Sequence, residues 1–386
     1  MQRGMLGRWH KGVAGGETVR AFIPAPLPPD PPLVFDPPRQ QRLEQALLAL
    51  GRLDAIGALL PEPDIFLYAY VRQEAVLSSQ IEGTQSSLSD LLLFELDEAP
   101  GVPFDDVVEV SNYVAALEHG MARLSEGFPL CNRLIRELHE KLLARGRGAG
   151  KAPGEFRTTQ NWIGGTRPGN AVFVPPPPQE VERCMADLER FLHDPAGPGA
   201  LVKAALAHVQ FETIHPFLDG NGRVGRLLIA FILHHEGVLR QPLLYLSLFF
   251  KQHRAEYYHQ LDAVRFTGDW EAWLDFFLEG VSLTAQDAVH TAHELLALFA
   301  ADRARILPLG RAAANALRIF DVLRHRPVAN IKLMAARAGV SFATAARAVE
   351  ALEQLGIVRE ITGRARERVF VYGGYLDLLG RVGASS

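Results

Sequence analysis

Cysteine is scarce in this chain of 386 residues, and its apolar runs are short. The two cysteines, Cys131 and Cys184, lie far apart without a CxxC pair or a histidine-rich neighbourhood, which excludes a disulfide framework and a zinc ribbon. The apolar run Leu227–Leu233 is far too short to cross a bilayer, and the first twenty residues contain no apolar segment of a secretion signal. We therefore expect a cytoplasmic protein that does not insert into membranes.

Positive charge is concentrated at one end of the chain. Residues 311–386 contain 12 Lys and Arg against 6 Asp and Glu, whereas residues 1–310 contain 28 against 38. The apolar fraction of 48% over this length suffices for two or three hydrophobic cores. A basic module is therefore expected to follow an acidic body.

Apolar periodicity predicts a mainly α-helical chain. The proline-rich stretch from Phe22 to Pro38 forbids helix and predicts an extended arm. Helical spacing covers Arg39–Leu60, Ile65–Ile81, a segment capped by Ser86, Ser87 or Ser89 that runs to Leu96, Asp105–Ser125, Asn132–Ala144, Gln179–His193 and Leu201–Thr213, with more helix up to about Ala301. One segment, Thr158–Val174, places glycines between apolar pairs and predicts a β-hairpin.

The basic tail has the element order of a winged helix. Helices are predicted over Ala312–Leu323, Lys332–Ala338 and Ser341–Leu355, and strands over Ile357–Ile361 and Arg368–Tyr372, around a basic turn from Thr362 to Arg366. The third helix would present Ser341, Thr344 and Arg347, and the wing would present Arg364 and Arg366, as possible DNA contacts. A packing or dimerisation module remains the alternative, because alanines in this helix leave few side chains that read bases.

One twelve-residue segment combines groups suited to phosphate chemistry: His215-Pro216-Phe217-Leu218-Asp219-Gly220-Asn221-Gly222-Arg223-Val224-Gly225-Arg226. Pro216 ends the preceding helix, so His215 lies where its imidazole can reach a reacting group. The glycines around Asn221 permit a tight turn, and the amide groups of this turn, at the start of the next helix, form an anion site.

Three charged side chains complete this segment. Asp219 offers a hard oxygen ligand for Mg²⁺, and Arg223 and Arg226, three residues apart, can face the same polyanion. A base, a metal ligand, an amide nest and two arginines are the parts that phosphoryl-group transfer needs. The segment resembles the signature of the Fic family, HPFx(D/E)GNGRxxR, with every specified position filled.

The resemblance implies a helical core in which His215 deprotonates a Ser, Thr or Tyr hydroxyl of a target protein. The hydroxyl oxygen then attacks the α-phosphate of ATP, pyrophosphate leaves, and AMP stays on the target. It also implies that Asp219 holds Mg²⁺ and that ATP is bound by Asp219, Gly220, Asn221, Gly222, Arg223 and Arg226. Phosphate-transferring Doc-like toxins have Lys in place of the second glycine and no second arginine, so Gly222 and Arg226 favour AMP transfer.

Upstream, the stretch from Ser78 to Gly83 resembles the inhibitory pattern (S/T)xxxE(G/N) of Fic proteins. By that resemblance Ser78, Glu82 and Gly83 belong to an inhibitory helix, and Glu82 pairs with Arg226 beside the ATP site, so that ATP takes a pose unsuited to attack. From the pattern alone, a solvated glutamate near a helix-ending glycine is the alternative.

Two further groups are implied beside the nucleotide. The predicted hairpin resembles the flap of the family, which holds a target segment by strand addition, and Ile163, Gly164, Gly165 and Thr166 would approach ATP. Tyr257 and Tyr258 stand where relatives place adenine contacts. Arg265 replaces an Asn of other members, and packing is the alternative for these tyrosines.

The expected fold is a Fic-type helical core with a β-hairpin flap and a C-terminal winged helix-turn-helix domain. We predict the segments 1–38 (tail and arm), 39–106 (N-terminal helices with the inhibitory helix), 107–285 (catalytic core), 286–310 (connecting helix) and 311–386 (winged helix). A homodimer is also expected. A DNA-binding regulator, a Fic-like phosphotransferase and an AMP-removing enzyme remain as alternatives to the adenylyltransferase.

Overall fold

A computed structural model describes residues 3–59, 63–96, 102–364 and 366–384 and is mainly α-helical, as predicted. The N-terminal part contains β1 (Gly7–Ala14), β2 (Glu17–Pro24), α1 (Pro37–Leu59), α2 (Pro63–Ile81), α3 (Leu88–Phe94) and α4 (Phe104–Ser125). The central part contains α5 (Asn132–Leu142), α6 (Pro178–Leu192), α7 (Ala200–Ile214), α8 (Asn221–His235), α9 (Ser247–Gln252), α10 (Arg254–Thr267) and α11 (Trp270–Ile306). The C-terminal part contains α12 (Ala313–His325), β3 (Val328–Asn330), α13 (Ile331–Ala338), α14 (Phe342–Gln354), β4 (Val358–Glu360), β5 (Val369–Tyr372) and α15 (Gly373–Ala384).

Helix ends follow local signals in the sequence. Asp36 accepts a hydrogen bond from the Arg39 amide (2.9 Å) and thereby caps α1, whose first two residues are prolines. Ser87 and Asp90 form a reciprocal capping box on α3, so Ser87 is the cap among the three candidates. The helices predicted between residues 39 and 214 are confirmed within a few residues, and Leu60 lies outside the described residues.

The centre of the core is α7. All residues from Leu201 to Ile214 are buried, as expected for a helix that other elements cover on every side. It packs against α6, α8, α10 and α11, and Trp273 of α11 donates to the Ala205 carbonyl oxygen (2.9 Å). The segment 286–310, expected as a separate connecting helix, is largely the second half of α11. Among the described residues, no helix combines the length and apolar character that a membrane span requires.

The hairpin predicted at Thr158–Val174 was wrong in extent. Only Ile163 and Phe173 form a bridge there, with the Ile163 amide donating to the Phe173 carbonyl oxygen (2.8 Å). Gly164 and Gly165 have positive φ angles (68° and 72°), and a short 3₁₀ turn occupies 168–170, so neither side continues as a strand. We keep the name flap for residues 158–176.

A regular hairpin lies instead in the segment expected to be tail and arm. Strands β1 and β2 are antiparallel, from Gly7 opposite Pro24 to Ala14 opposite Glu17, and Gly15 and Gly16 supply the positive φ angles of the two-residue turn. The Phe22 amide donates to Val174 of the flap (2.8 Å). The extended arm is therefore shorter than predicted, since its first residues belong to β2 and its last prolines begin α1.

The C-terminal part is a winged helix, as predicted. Its three helices carry an antiparallel sheet of order β3-β5-β4. Strand β3 and helix α15 were not predicted; β3 has only three residues, too few for a periodic signal. Ala365, in the predicted basic turn, lies outside the described residues.

Candidate active site

The loop between α7 and α8 positions the predicted base. His215 ends α7 in a left-handed conformation (φ 49°), with its amide donating to the Phe211 carbonyl oxygen (2.9 Å). Pro216 cannot continue the helix, and Gly220, at φ 75°, turns the chain into α8. The half-buried imidazole thus lies one short loop away from the first-turn amides of α8, the groups with which a helix start binds an anion.

The side chain of Asn221 holds this loop together. Its Oδ1 accepts from the Phe217 amide (2.8 Å), and its Nδ2 donates to the Phe217 carbonyl oxygen (2.9 Å). The expected grip of this side chain on phosphate needs correction, because both of its polar atoms are occupied and Asn221 is 2% exposed. The backbone amides of the turn keep that role as a prediction.

His139 supports the same loop and was missed at the sequence level. Its Nδ1 accepts from the Gly154 amide (2.9 Å), so Nε2 carries the proton and donates to the Asp219 carbonyl oxygen (3.0 Å). Its ring stacks on Phe217 at 3.7 Å. Burial lowers the pKa of His139 to about 4, so the imidazole is neutral at pH 7. A histidine on an apolar helix face has no local pattern that reveals this role.

Burial and two neighbouring cations determine the charge of His215. Burial comes first, and Arg265 and Arg157 add to it, in lowering the pKa of His215 to about 3. Its Nδ1 is buried and has no hydrogen-bond partner among the described residues. The unprotonated imidazole can therefore accept a proton at neutral pH.

Arg226 is held by the helix that precedes the core. Its Nη2 contacts Glu82 Oε1 at 2.6 Å and the Ser78 carbonyl oxygen at 3.0 Å, and its Nε donates to Ser78 Oγ (2.8 Å). Burial opposes the cation, but Glu82 raises the pKa of Arg226 above its ordinary value. Gly83 leaves α2 with a φ of 101°, which explains the glycine after Glu82. The contact expected between Glu82 and Arg226 is present.

Glu82 also reaches the start of α8. A Cβ on Gly222 would lie 2.2 Å from Glu82 Oε1, so only glycine accommodates the carboxylate in this position. Arg223 points elsewhere: its Nη1 lies 3.2 Å from Glu109 Oε2, and its Nη2 lies 3.7 Å from Asp219 Oδ1. The two arginines thus have separate acidic partners, and the prediction that they share one polyanion needs both to reorient.

Two buried carboxyl groups near Arg226 were not anticipated. Burial raises the pKa of Glu212 and of Glu74 to about 7. Glu74 accepts from Tyr113 (3.2 Å) and from the Ser247 amide (3.1 Å), whereas Glu212 Oε1 is unpartnered among the described residues. Each of these glutamates lies within an apolar helix, where the sequence pattern does not distinguish a buried carboxyl group from one on the surface.

The two tyrosines differ in environment. Tyr257 is 1% exposed, and its hydroxyl lies 2.9 Å from Nε2 of His208, whose Nδ1 lies 2.9 Å from the Gly225 carbonyl oxygen. Tyr257 is therefore a core residue here, and its predicted adenine contact needs correction. Tyr258 is 38% exposed, and adenine contact by its ring stays a prediction.

The flap meets the loop between α7 and α8 at its base. Asn161 Nδ2 donates to the Phe217 carbonyl oxygen (3.2 Å), immediately before the bridge at Ile163. The residues predicted to approach ATP that follow, Gly164, Gly165 and Thr166, are exposed. Their approach to a nucleotide stays a prediction.

The predicted DNA contacts lie on the winged helix and not at this site. Ser341 caps α14, its Oγ accepting from the Thr344 amide (3.2 Å), and Thr344 is half-buried. Arg347 is exposed on α14, and Arg364 and Arg366 are exposed between β4 and β5.

Comparison with known families assigns three segments. Residues 40–122 match the Fic/DOC family N-terminal region, residues 129–233 match the Fic/DOC family, and residues 312–361 match the IclR helix-turn-helix domain. The chain is 31% identical over 266 residues to a protein adenylyltransferase Fic of Culex quinquefasciatus, covering 64% of this chain and 49% of that protein. It is 32% identical over 194 residues to the one from Drosophila grimshawi, covering 47% and 37%. The chain thus spans half or less of these relatives.

Solved structures share the fold. A Fic family protein from Desulfovibrio desulfuricans superposes with a TM-score of 0.59 at 20% identity, covering 88% of this chain and 97% of that chain. A Fic domain containing signalling protein from Bacteroides thetaiotaomicron gives a TM-score of 0.53 at 22% identity, covering 66% and 97%. At these identities the likeness establishes the fold alone.

Proposed function

This chain is a member of the Fic/DOC family, and from that premise we propose that it transfers AMP from ATP to a Ser, Thr or Tyr hydroxyl of a protein. One observation carries the proposal. A single loop places the neutral imidazole of His215 beside the amide-lined start of α8, so a base and a phosphate cradle lie together.

The chemistry follows from these two groups. The imidazole of His215 takes the hydroxyl proton while the hydroxyl oxygen forms a bond to the α-phosphorus of ATP. The bond from that phosphorus to the bridging oxygen breaks, and pyrophosphate leaves with the electron pair. The negative charge of the triphosphate raises the pKa of His215 towards its ordinary value, so the base gains strength when the site is loaded.

Asp219 fits the magnesium ion that accompanies ATP. Its carboxylate is 43% exposed beside the start of α8, with Oδ1 accepting from the Gly220 amide (2.6 Å). The described residues contain no cluster of three candidate ligands, which suits an ion held by one carboxylate, phosphates and water. Mg²⁺ would neutralise phosphate charge.

We propose that the contact between Glu82 and Arg226 inhibits this activity. Only 2% of the Arg226 side chain is exposed, and it is committed to Glu82 and Ser78. A γ-phosphate must displace this carboxylate to use the guanidinium. Breaking such a charge-assisted contact costs about 1.5–3 kcal/mol, which corresponds to a suppression of roughly ten- to a hundredfold.

ATP labelled at either the α- or the γ-phosphate tests the activity. We expect α-label on the protein itself, with Glu82→Gly exceeding wild type by about ten- to a hundredfold and His215→Ala inactive. Transfer of γ-label would support a phosphotransferase, and loss of attached AMP would support de-AMPylation. Equal rates in wild type and Glu82→Gly would reject the inhibition, and retained transfer in His215→Ala would reject the base.

The flap is proposed to hold the target segment. Its residues from Trp162 to Thr166, all exposed except the half-buried Ile163, follow Asn161, which is bonded to the loop between α7 and α8. A strand added there would pass close to His215. The homodimer and the cytoplasmic location stay predictions.

DNA binding by the winged helix is a second candidate, favoured by the exposed positions of Arg347, Arg364 and Arg366. Anisotropy of labelled duplex DNA at several salt concentrations tests it. Replacement of Arg364 and Arg366 by Glu should weaken binding and reduce the salt slope by about 2. If no DNA binding is detectable at low salt, the alternative of a packing or dimerisation module is favoured for the winged helix.

A further inference from the structure

Arg157 stands at the start of the flap and is 3% exposed. Among the described residues, its guanidinium contacts carbonyl oxygens and no carboxylate. Burial lowers the pKa of Arg157 to about 10, so it remains a cation at neutral pH. An arginine without an acidic partner is costly to bury, which indicates that its hydrogen bonds serve a particular arrangement.

Those hydrogen bonds join two regions. On the catalytic side, Arg157 Nε donates to the His215 carbonyl oxygen (2.8 Å), and the Arg157 amide donates to the Pro216 carbonyl oxygen (2.9 Å). On the flap side, Nη1 donates to the Thr159 carbonyl oxygen (3.2 Å) and Nη2 to that of Pro176. Thr159 and Pro176 are at opposite ends of the flap, so one planar fork holds both ends and the residue that carries the base.

We propose that Arg157 is a positioning residue that sets the register between the flap and the imidazole of His215. This inference rests on the proposed function, in which the flap presents a hydroxyl to that imidazole. A target strand bonded to the flap would then be placed relative to the base by Arg157. Rigid placement matters because an error of about 1 Å in such an arrangement costs about a hundredfold in rate.

Arg265 provides a matched control. It is also buried (5% exposed) and also lies near His215, where its charge acts in the same direction as that of Arg157. Its hydrogen bonds go to the Glu212 carbonyl oxygen (2.9 Å), Thr213 Oγ1 (3.4 Å) and Asp262 Oδ1 (3.0 Å), all on α7 and α10. Arg265 therefore holds the end of α7. Among the described residues it forms no hydrogen bond to the flap, but its guanidinium lies over the ring of Phe173 (4.6 Å to the centroid), where a lysine would keep a cation.

Amide exchange tests the link without any activity. In Arg157→Lys the charge remains, but an ammonium group cannot span both sets of carbonyl oxygens. We expect flap amides, including those of Ile163 and Phe173, to exchange about tenfold faster than in wild type. Arg265→Lys, which keeps a cation beside Phe173, should change them by less than about twofold. Thermal melting confirms that each variant is folded, and Arg157→Gln replaces Arg157→Lys where the latter does not fold. Unchanged exchange in the folded Arg157 variant would overturn the proposal.

Kinetics in a Glu82→Gly background test the consequence for transfer. Adding Arg157→Lys should lower kcat by about a hundredfold while KM for ATP stays within about twofold, because the phosphate cradle on α8 is untouched. A KM that rises in step with the loss of kcat would indicate a general structural defect and overturn the positioning role. If Glu82→Gly shows no transfer at all, the proposed function fails, and flap exchange still decides whether Arg157 holds the flap.

Discussion

The guanidinium of Arg226 lies against three oxygen acceptors. Glu82, the Ser78 hydroxyl and the Ser78 carbonyl oxygen surround it, and its side chain is almost completely buried. The last two of these come from within α2, so Ser78 holds Arg226 in this position together with Glu82. At this scale the proposed inhibition depends on both residues, because each of them keeps the guanidinium away from a phosphate.

Removing that hydroxyl should release part of the inhibition. In Ser78→Ala, Arg226 loses a hydrogen bond of about 1 kcal/mol, and we expect self-modification to rise roughly fivefold, less than in Glu82→Gly. Ser79→Ala is the control, because the Ser79 Oγ is buried next door without a partner among the described residues. Equal rates for the two variants, measured with α-labelled ATP, would show that Ser78 does not hold Arg226.

Among the elements, the crossing of α4 with α5 and α8 brings helices unusually close. A Cβ on Gly120 of α4 would lie 2.4 Å from Phe231 of α8 and 2.8 Å from Leu138 of α5. Both neighbours are buried and cannot move into solvent. This contact places α8, and with it the proposed phosphate cradle, against the helix that carries Glu109, the partner of Arg223.

Gly120→Ala should therefore destabilise the protein. Overpacking at a buried crossing costs about 1–3 kcal/mol of the free energy of unfolding, despite the better helix propensity of alanine. Gly51→Ala in α1 is the matched control, because a Cβ there meets nothing within 4 Å. We expect it to raise the free energy of unfolding by about 0.5–1 kcal/mol. Urea unfolding measures both, and a stabilised Gly120→Ala variant would contradict the packing argument.

For the whole molecule, α2 connects the winged helix with the active site. Near its start, Tyr68 and Arg72 bind Glu95 (2.5 and 2.7 Å), which also pairs with Arg326 of the winged helix at 3.2 Å. Near its end, α2 carries the residues that hold Arg226. The two modules therefore share one helix, and their packing surfaces lie on its opposite halves.

Three buried or half-buried histidines make the stability of the whole molecule depend on pH. His139, His208 and His215 have lowered pKa values of about 4, 3 and 3. Below pH 6.5 the unfolded chain therefore binds protons that the native chain does not, and the free energy of unfolding decreases as the pH falls. Glu74 and Glu212, with raised pKa values of about 7, act in the opposite direction between pH 4.5 and 7. Below pH 4.5 the two glutamates are protonated in both states, and of these five groups only the histidines still lower the free energy of unfolding.

We expect the free energy of unfolding to fall steeply from pH 4.5 to pH 4. Each neutral histidine contributes about 1.4 kcal/mol per pH unit to that slope, so His208→Gln should reduce the slope by about this amount even where it lowers stability at pH 7. Urea titrations at closely spaced pH values measure the slope. The same slope in wild type and His208→Gln would show that His208 is protonated in the native protein.

The sequence alone determined the helices, the winged-helix order and the catalytic loop. These depend on local chemistry: Pro216 stops a helix, Gly220 takes a positive φ, and apolar spacing marks the buried face. A reactive group and its cradle lie within twelve residues, so their neighbourhood follows from chain geometry.

Only the tertiary structure decided which partner each buried polar group has. Arg157 joins both ends of the flap to His215, Arg223 pairs with Glu109, and Tyr257 turns inward to His208. The contact of Glu82 with Arg226, across 144 positions, was expected from the family resemblance and not from any local pattern. Periodicity indicates that a face is buried but not which element covers it. The flap and the N-terminal hairpin differ from expectation for the same reason, since strand pairing depends on the available partner edge.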